Sequence, residues 1–230
     1  MNKHKTAITI VTLLINIIGH ADTVVAGWDS WASSVNDSPT TVLSSDFSAS
    51  LSTVVGDWVR LSSGSTDLSF GSVSGAATSI DAATGALATQ VLDQSYLQFT
   101  ITNTGTGNYT LSGFHFDLQR QYSTSPRYYK VDVVSGSDIT AGTLVNDQYL
   151  TATNPLEQDY ADFDISLSSL EDNVLTTGES AIFRLTISGG NDSARTFIDN
   201  VAVTAVPEPV SLGLLSFGAI LLGILRKTRV

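Results

Sequence analysis

Short segments in which apolar and polar residues alternate run through most of this chain. In Tyr96–Thr102, the side chains of Leu97, Phe99 and Ile101 fall on one face. A period of two is that of a β-strand, because successive side chains point to opposite faces. The pattern recurs in Leu111–Gln119, Tyr128–Val133, Asp162–Leu167 and Phe183–Ser188, and more weakly in Asp46–Leu51, Trp58–Leu61 and Leu68–Gly71. Short strands with one apolar face each predict an all-β fold, an antiparallel β-sandwich with a solvated outside.

Two stretches break the pattern. Ile198, Val201 and Val203 are all apolar, yet strict alternation cannot place them on one face. A β-bulge at Asp199-Asn200 would reconcile them. The Gly-, Ala- and Thr-rich stretch Ser72–Asp93 is compatible with either a long loop or a short helix.

Charge and cysteine content exclude several kinds of site. Residues 27–206 carry 6 of the 11 basic side chains but 20 of the 22 acidic ones. A field of that sign repels nucleic acid, so a nucleic-acid partner is not expected. The chain has no cysteine, which rules out disulfides, thiol catalysis and cysteine-based zinc sites.

The N-terminus has the three parts of a secretory signal. A basic start, Lys3–Lys5, precedes the largely apolar run Ala7–Ile18. Val24-Val25-Ala26 then has the small-residue pattern that signal peptidase cleaves. We predict a signal helix within residues 1–26 and cleavage after Ala26, with cleavage after Ala21 as the alternative.

The C-terminus has three parts as well. Val206, Pro207, Glu208 and Pro209 precede 16 uncharged residues, 210–225, and a basic end at residues 226–230 that contains Arg226, Lys227 and Arg229. A helix over 210–225 would be about 24 Å long, short of the roughly 30 Å hydrocarbon core. Snorkelling of the basic side chains into the interface would let it cross, with the C-terminus in the cytoplasm. We predict a transmembrane helix here, and a linker at Thr204–Val206 before it.

This tail resembles a PEP-CTERM sorting signal. Pro207, Glu208 and Pro209 match its motif, Val206 precedes them, and the apolar segment and basic end follow in the expected order. The resemblance implies export by a Gram-negative-type bacterium and recognition by an exosortase, a membrane-embedded sorting enzyme. It also implies anchoring in the inner membrane before processing, and then a place at the cell surface or in a biofilm matrix with exopolysaccharide.

The segment Phe197–Val201 resembles the last strand of jelly-roll, carbohydrate-binding-like domains. In such domains an acid at the position of Asp199 often helps to hold a structural calcium ion, and Asp29 or Asp46 could pair with it. Calcium takes carboxylate and carbonyl oxygens as ligands. The alternative is an Asx turn in which Asp199 or Asn200 bonds the local backbone. No cofactor beyond this calcium is expected.

Aromatic residues supply a second candidate site. Tyr122, Tyr128 and Trp58 are candidates for sugar contacts, and three basic residues, Arg120, Arg127 and Lys130, lie close to the tyrosines in sequence. Sugars present apolar ring faces and hydroxyl groups, which suit exposed aromatic rings with polar neighbours. The alternative is ordinary strand composition, since tyrosine favours both faces of a sheet.

Catalytic patterns are weak, and we do not expect an enzyme. His115 with Asp117, or the acids Asp159, Asp162 and Asp164, would have to carry hydrolysis, and no Gly-x-Ser-x-Gly motif occurs. We divide the chain into a signal peptide (1–26), an ectodomain (27–205) and a sorting signal (206–230). The expected role is structural or adhesive at the cell surface, with a glycan-binding module as the alternative and a secreted hydrolase as a weaker one.

Overall fold

The computed structural model describes residues 22–33, 35, 38, 40–60, 64–65, 68–74, 86–89, 94–151, 160–190 and 194–208. The predicted signal helix lies outside these residues. So do Pro209, the predicted transmembrane helix and the basic end Arg226, Lys227 and Arg229. Within the described ranges no helix has the length and apolar character needed to cross a bilayer.

The described residues form β-strands in this order: β1 (Thr23–Trp28), β2 (Val42–Leu43), β3 (Phe47–Val55), β4 (Trp58–Arg60), β5 (Ser69–Phe70), β6 (Val73–Ser74), β7 (Leu87–Thr89), β8 (Gln94–Asn103), β9 (Tyr109–Arg120), β10 (Tyr128–Val133), β11 (Gly142–Tyr149), β12 (Ala161–Ser166), β13 (Val174–Leu175), β14 (Ser180–Ser188) and β15 (Thr196–Pro207). Each segment predicted from alternation overlaps one of them. The prediction of strands at these places is therefore confirmed.

The strands pair into two main sheets. Sheet I has the order β12-β9-β15-β1-β2, with β13 paired to β9, β7 to β15 and β4 to β7. Sheet II has the order β11-β10-β14-β8-β3, and β5 and β6 form a separate hairpin. All of these strand pairs are antiparallel. The predicted all-β antiparallel sandwich is thus confirmed.

The inner faces of the two sheets meet in one aromatic core. Phe99 of sheet II lies between Trp28 and Phe114 of sheet I, with ring centroids 4.8 and 5.9 Å away. Phe114 in turn stacks on Phe183 at 5.1 Å. All four rings are fully buried. Burial of side chains this large is the main favourable term in folding a chain without disulfides.

The middle of the outer face of sheet I is not solvated, contrary to the expectation from alternation. His115, Asp117 and Gln119 point away from the core on β9, yet each is less than 9% exposed. The β5–β6 hairpin covers part of this face: Phe70 packs against Ala202, and its ring lies over Gly27. The alternation shows only which face a residue takes, and a second layer decides whether that face meets water.

Strand β15 runs from one end of the sandwich to the other. It begins at Thr196, which pairs with Arg120 at the end of β9, and finishes at Pro207, which pairs with Tyr109 at the start of β9. The eleven steps between its twelve residues, at about 3.3 Å each, span roughly 36 Å. We call the end at Pro207 the C-terminal end and the end at Thr196 the opposite end.

Candidate functional site

A buried arginine organises the opposite end of the sandwich. Arg120, the last residue of β9, is 3% exposed. Its guanidinium donates to the carbonyl oxygens of Ser123, Ser125 and Leu150. It therefore ties the β9–β10 connection to the end of β11. A guanidinium suits this task because its donors form a rigid planar fork.

Two tyrosines meet on the surface beside this arginine. Tyr128 begins β10 and Tyr149 ends β11, and the register of the two strands pairs them directly. Their rings are 5.8 Å apart in an edge-to-face arrangement. Arg120 donates to the Tyr149 hydroxyl oxygen at 3.1 Å and lies 5.5 Å from the centre of its ring. Tyr149 is 53% exposed and Tyr128 36%.

A third tyrosine stands in the adjacent turn. Tyr122 is 49% exposed. Its backbone N–H donates to the Ser125 hydroxyl oxygen at 2.9 Å, and the Ser125 N–H donates to the Tyr122 carbonyl oxygen at 3.0 Å. Since Arg120 also holds Ser123, the turn is fixed relative to Tyr149. We call Tyr122, Tyr128 and Tyr149 the tyrosine cluster; among the described residues these are the exposed large aromatic side chains.

The structure changes the membership of the aromatic site predicted from sequence. Trp58 does not belong to it: the side chain is 7% exposed, packs in the core and donates its indole N–H to the Val55 carbonyl oxygen. Tyr149 was missed. It ends an edge strand whose eight residues are all half-buried or exposed, so no alternation marks the strand. Only its pairing with β10 brings the ring to Tyr128.

Asp199 lies on the covered outer face of sheet I and is buried. Its carboxylate accepts hydrogen bonds from the Trp31 indole N–H at 3.0 Å and from the backbone N–H groups of Ser65 at 2.7 Å and Asn200 at 2.9 Å. Burial raises the pKa of Asp199 to about 6, against the lowering effect of these bonds and with a further rise from nearby Asp29.

This arrangement fits the hydrogen-bonded alternative better than calcium. Three N–H donors already face the Asp199 carboxylate, and a cation needs oxygen ligands in their place. No group of three or more acidic or histidine side chains in the described part of the chain could hold a metal ion. Asp46 lies elsewhere, at the C-terminal end, where it accepts from the Tyr109 hydroxyl. The predicted bulge is present as a register shift between Asp199 and Ala202, with Asn200 at φ 45°.

His115 pairs with a residue other than the expected Asp117. Its Nδ1 lies 2.7 Å from Asp164 Oδ1 and its Nε2 lies 2.9 Å from the Thr204 hydroxyl. Asp117 instead accepts from the Gly71 N–H and the Asn200 amide. Hydrogen bonds from Ser72 and His115 lower the pKa of Asp164, although burial opposes them. The network joins β9, β12 and β15 to the hairpin that covers them.

The predicted sorting motif begins inside the fold. Val206 and Pro207 belong to β15, so the predicted linker at Thr204–Val206 is wrong. The Glu208 N–H donates to the Asn108 carbonyl oxygen at 3.0 Å, and its carboxylate accepts from the Asn108 amide and the Thr110 hydroxyl, both at 3.3 Å. One residue, Pro209, separates this contact from the apolar segment that begins at residue 210.

No protein-family model and no curated protein matches the sequence. Among solved structures, the chain is similar to TmCBM61 in complex with β-1,4-galactotriose, at 12% identity and a TM-score of 0.36 over 69% of this chain and 88% of that one. It is also similar to the K3 cleaved adhesin domain of Lys-gingipain from Porphyromonas gingivalis, at 12% identity and a TM-score of 0.39 over 80% of this chain and 99% of that one. A third similar structure is the family 11 carbohydrate-binding module from Clostridium thermocellum in complex with a β-1,3-1,4-mixed-linked tetrasaccharide. The identity is 10% and the TM-score 0.36, over 79% of this chain and 96% of that one. Likenesses this remote assign neither a family nor a ligand to this chain.

Proposed function

We propose that this chain is an exported, jelly-roll-like protein that binds a glycan through the tyrosine cluster and is sorted by a PEP-CTERM tail. One observation carries the proposal. The exposed large aromatic side chains of the described residues, Tyr122, Tyr128 and Tyr149, gather round one buried arginine instead of scattering over the surface.

The chemistry of these side chains suits a sugar. A tyrosine ring offers an apolar face and a hydroxyl on a stiff side chain, so binding costs little conformational entropy. The bond from Arg120 to the Tyr149 hydroxyl and the edge-to-face contact with Tyr128 hold the two rings before any ligand arrives. Preorganisation of this kind increases affinity because fewer groups must be ordered on binding.

The position of the cluster supports the same role. Tyr149 and Tyr128 lie at the opposite end of the sandwich from Pro207 and Glu208, where the predicted anchor begins. A chain held by its C-terminus would therefore present the tyrosines away from the bilayer. An adhesive role in an exopolysaccharide matrix follows if the glycan is the polymer of that matrix. The partners are then an exosortase, signal peptidase and a surface glycan.

Replacing Tyr149 with alanine is expected to weaken binding to the host's extracted exopolysaccharide at least about tenfold, because the loss of a preorganised aromatic contact typically costs more than 1.4 kcal/mol. Tyr128→Ala should act in the same direction. Depletion of purified protein from solution by the polymer measures both. Leu43→Ala is the control, because Leu43 is a 47% exposed apolar side chain on sheet I. Equal binding by the tyrosine variants and the wild type would reject the proposed site.

Replacing Glu208 with alanine is expected to leave full-length protein in the inner membrane. Glu208 is the one charged residue of the Pro-Glu-Pro motif that the sorting enzyme would read. Glu171→Ala is the matched control, since it removes an exposed acid that lies outside the motif. Membrane fractionation with immunoblotting follows both. Release of the Glu208 variant at the wild-type rate would argue that the tail is a plain anchor.

A further inference from the structure

The outer face of sheet II is a polar surface next to the tyrosine cluster. The strand registers place Lys130, Thr186 and Tyr96 in one row across β10, β14 and β8. The next row holds Asp132, Arg184 and Gln98. Tyr128 begins the row on the opposite side of Lys130 from Asp132. The tyrosine cluster and this face therefore form one continuous surface.

Arg184 lies in the middle of this face, on β14 between β10 and β8. Its guanidinium carbon lies 4.5 Å from the centre of the Tyr96 ring, a cation–π contact. Its Nε is buried and has no hydrogen-bond partner among the described residues. Lys130 Nζ lies 3.0 Å from Oδ1 of the neighbouring Asp132, and the Thr143 hydroxyl donates to the same oxygen at 2.6 Å.

An arginine in this state is prepared to bind an anion. The contact with the Tyr96 ring positions the guanidinium, the Arg184 side chain is only half-buried, and a guanidinium can match the two oxygens of a carboxylate.

We propose that Tyr96 and Arg184 form a second contact site for the same glycan and that this site selects sugars bearing a carboxylate, that is, uronic acids. The inference rests on the proposed function and adds the chemical class of the ligand. Tyr96 lies two strands and one row from Tyr128, which is about 12 Å at ordinary sheet spacings. A short run of linked sugars can reach from the cluster to Arg184.

The acids of the chain do not prevent this, because Asp132, which lies opposite Arg184, is paired with Lys130. Six of the described acids, Asp46, Asp138, Glu171, Asp172, Glu179 and Glu208, lie at or near the C-terminal end, away from the tyrosine cluster. At physiological ionic strength charges are screened over about 8 Å, so distant acids act weakly on a ligand at Arg184. Binding should still weaken as salt rises, because the contact itself is ionic.

The test compares polygalacturonate with its fully methyl-esterified form, which keeps the sugar backbone and removes the charge. We expect the full-length protein to bind polygalacturonate roughly tenfold more tightly at moderate salt. Arg184→Gln should bring the two affinities close together without changing binding to the ester. Arg60→Gln, which removes the same charge from sheet I, should keep the preference.

Arg184→Lys keeps the charge but loses the planar fork, and it should retain only part of the preference. Equal affinity of the wild type for the two polymers, no binding to polygalacturonate, or an unchanged preference in Arg184→Gln would each overturn the inference. If the host exopolysaccharide still binds in a Tyr149-dependent manner, only the acidic-sugar site has failed. If Tyr149→Ala has no effect on that binding, the proposed function has failed as well.

Discussion

Replacing Asp199 with alanine is expected to destabilise the fold by about 3 kcal/mol at neutral pH, which for a domain of this size lowers the melting temperature by roughly 10 °C. The substitution leaves the N–H groups of Trp31, Ser65 and Asn200 buried without their acceptor. Each orphaned donor costs about 1–3 kcal/mol, and relief of the buried charge offsets part of the sum. Thermal unfolding followed by circular dichroism measures the effect.

The pH dependence of folding stability distinguishes the loss of the Asp199 carboxylate from general damage to the fold. Burial raises the pKa of Asp199 to about 6 in the folded state, while an unfolded aspartate titrates near 3.9. Between about pH 4 and pH 6 the folded state binds more protons than the unfolded state. Stability therefore falls as pH rises through this window and levels off above it. The alanine variant should lack this component of the slope.

A matched variant and a chelator complete the experiment. Asp199→Asn keeps one oxygen for Trp31 and Asn200 but turns an amide donor toward the Ser65 N–H, so it should lose less stability than alanine. EDTA should leave the wild-type melt unchanged. A melting temperature that falls by several degrees with chelator would show that calcium holds Asp199 and that our assignment of its role is wrong.

The bulge at Asp199-Asn200 could be predicted because it depends on local information. A strand with a period of two cannot bury Ile198, Val201 and Val203 together without an extra residue, and asparagine tolerates the positive φ that Asn200 adopts. What covers Asp199 could not be predicted. Trp31 and Ser65 reach it across 168 and 134 residues of sequence, and no periodicity encodes contacts between segments so far apart.

The candidate site, too, could be predicted only where it depends on local sequence. Tyr128 could be placed on an outward face from the alternation of β10. Trp58 also lies in a segment predicted from alternation, yet its side chain is buried and does not reach the site. Tyr149 belongs to an edge strand in which apolar and polar residues do not alternate, and Arg120 is a buried charge that sequence patterns assign to the surface. The site depends on where chain connections meet at one end of the sandwich, which only the three-dimensional structure shows.

The second large expected effect concerns the residue at which the mature protein begins. We expect the exported protein to begin at Asp22, by cleavage after Ala21, and not at Gly27 as the sequence pattern favours. Strand β1 begins at Thr23 and pairs with β15 through Thr23, Val24 and Ala26. A cut after Ala26 would remove four of the six residues of this strand.

A protein that begins at Gly27 should therefore be less stable than one that begins at Asp22 by about 4 kcal/mol, and its melting temperature should be lower by 10 °C or more. The loss combines the burial of Val25, which is 1% exposed, with the bonds from Ser44 N–H to the Val25 carbonyl oxygen and from the Thr23 hydroxyl to Ala205. Without these residues the second half of β15 also loses its partner on one side.

Intact-mass measurement of the exported protein and parallel melts of the two forms test the prediction. A third form that begins at Thr23 should melt with the Asp22 form, because Asp22 precedes the strand. A mature mass that starts at Gly27, together with equal melting temperatures, would show that β1 can lose its first four residues without cost. Signal peptidase reads an unfolded segment, so sequence alone leaves Ala21 and Ala26 as alternatives. The fold favours Ala21, because residues 23–26 pair with β15 in strand β1.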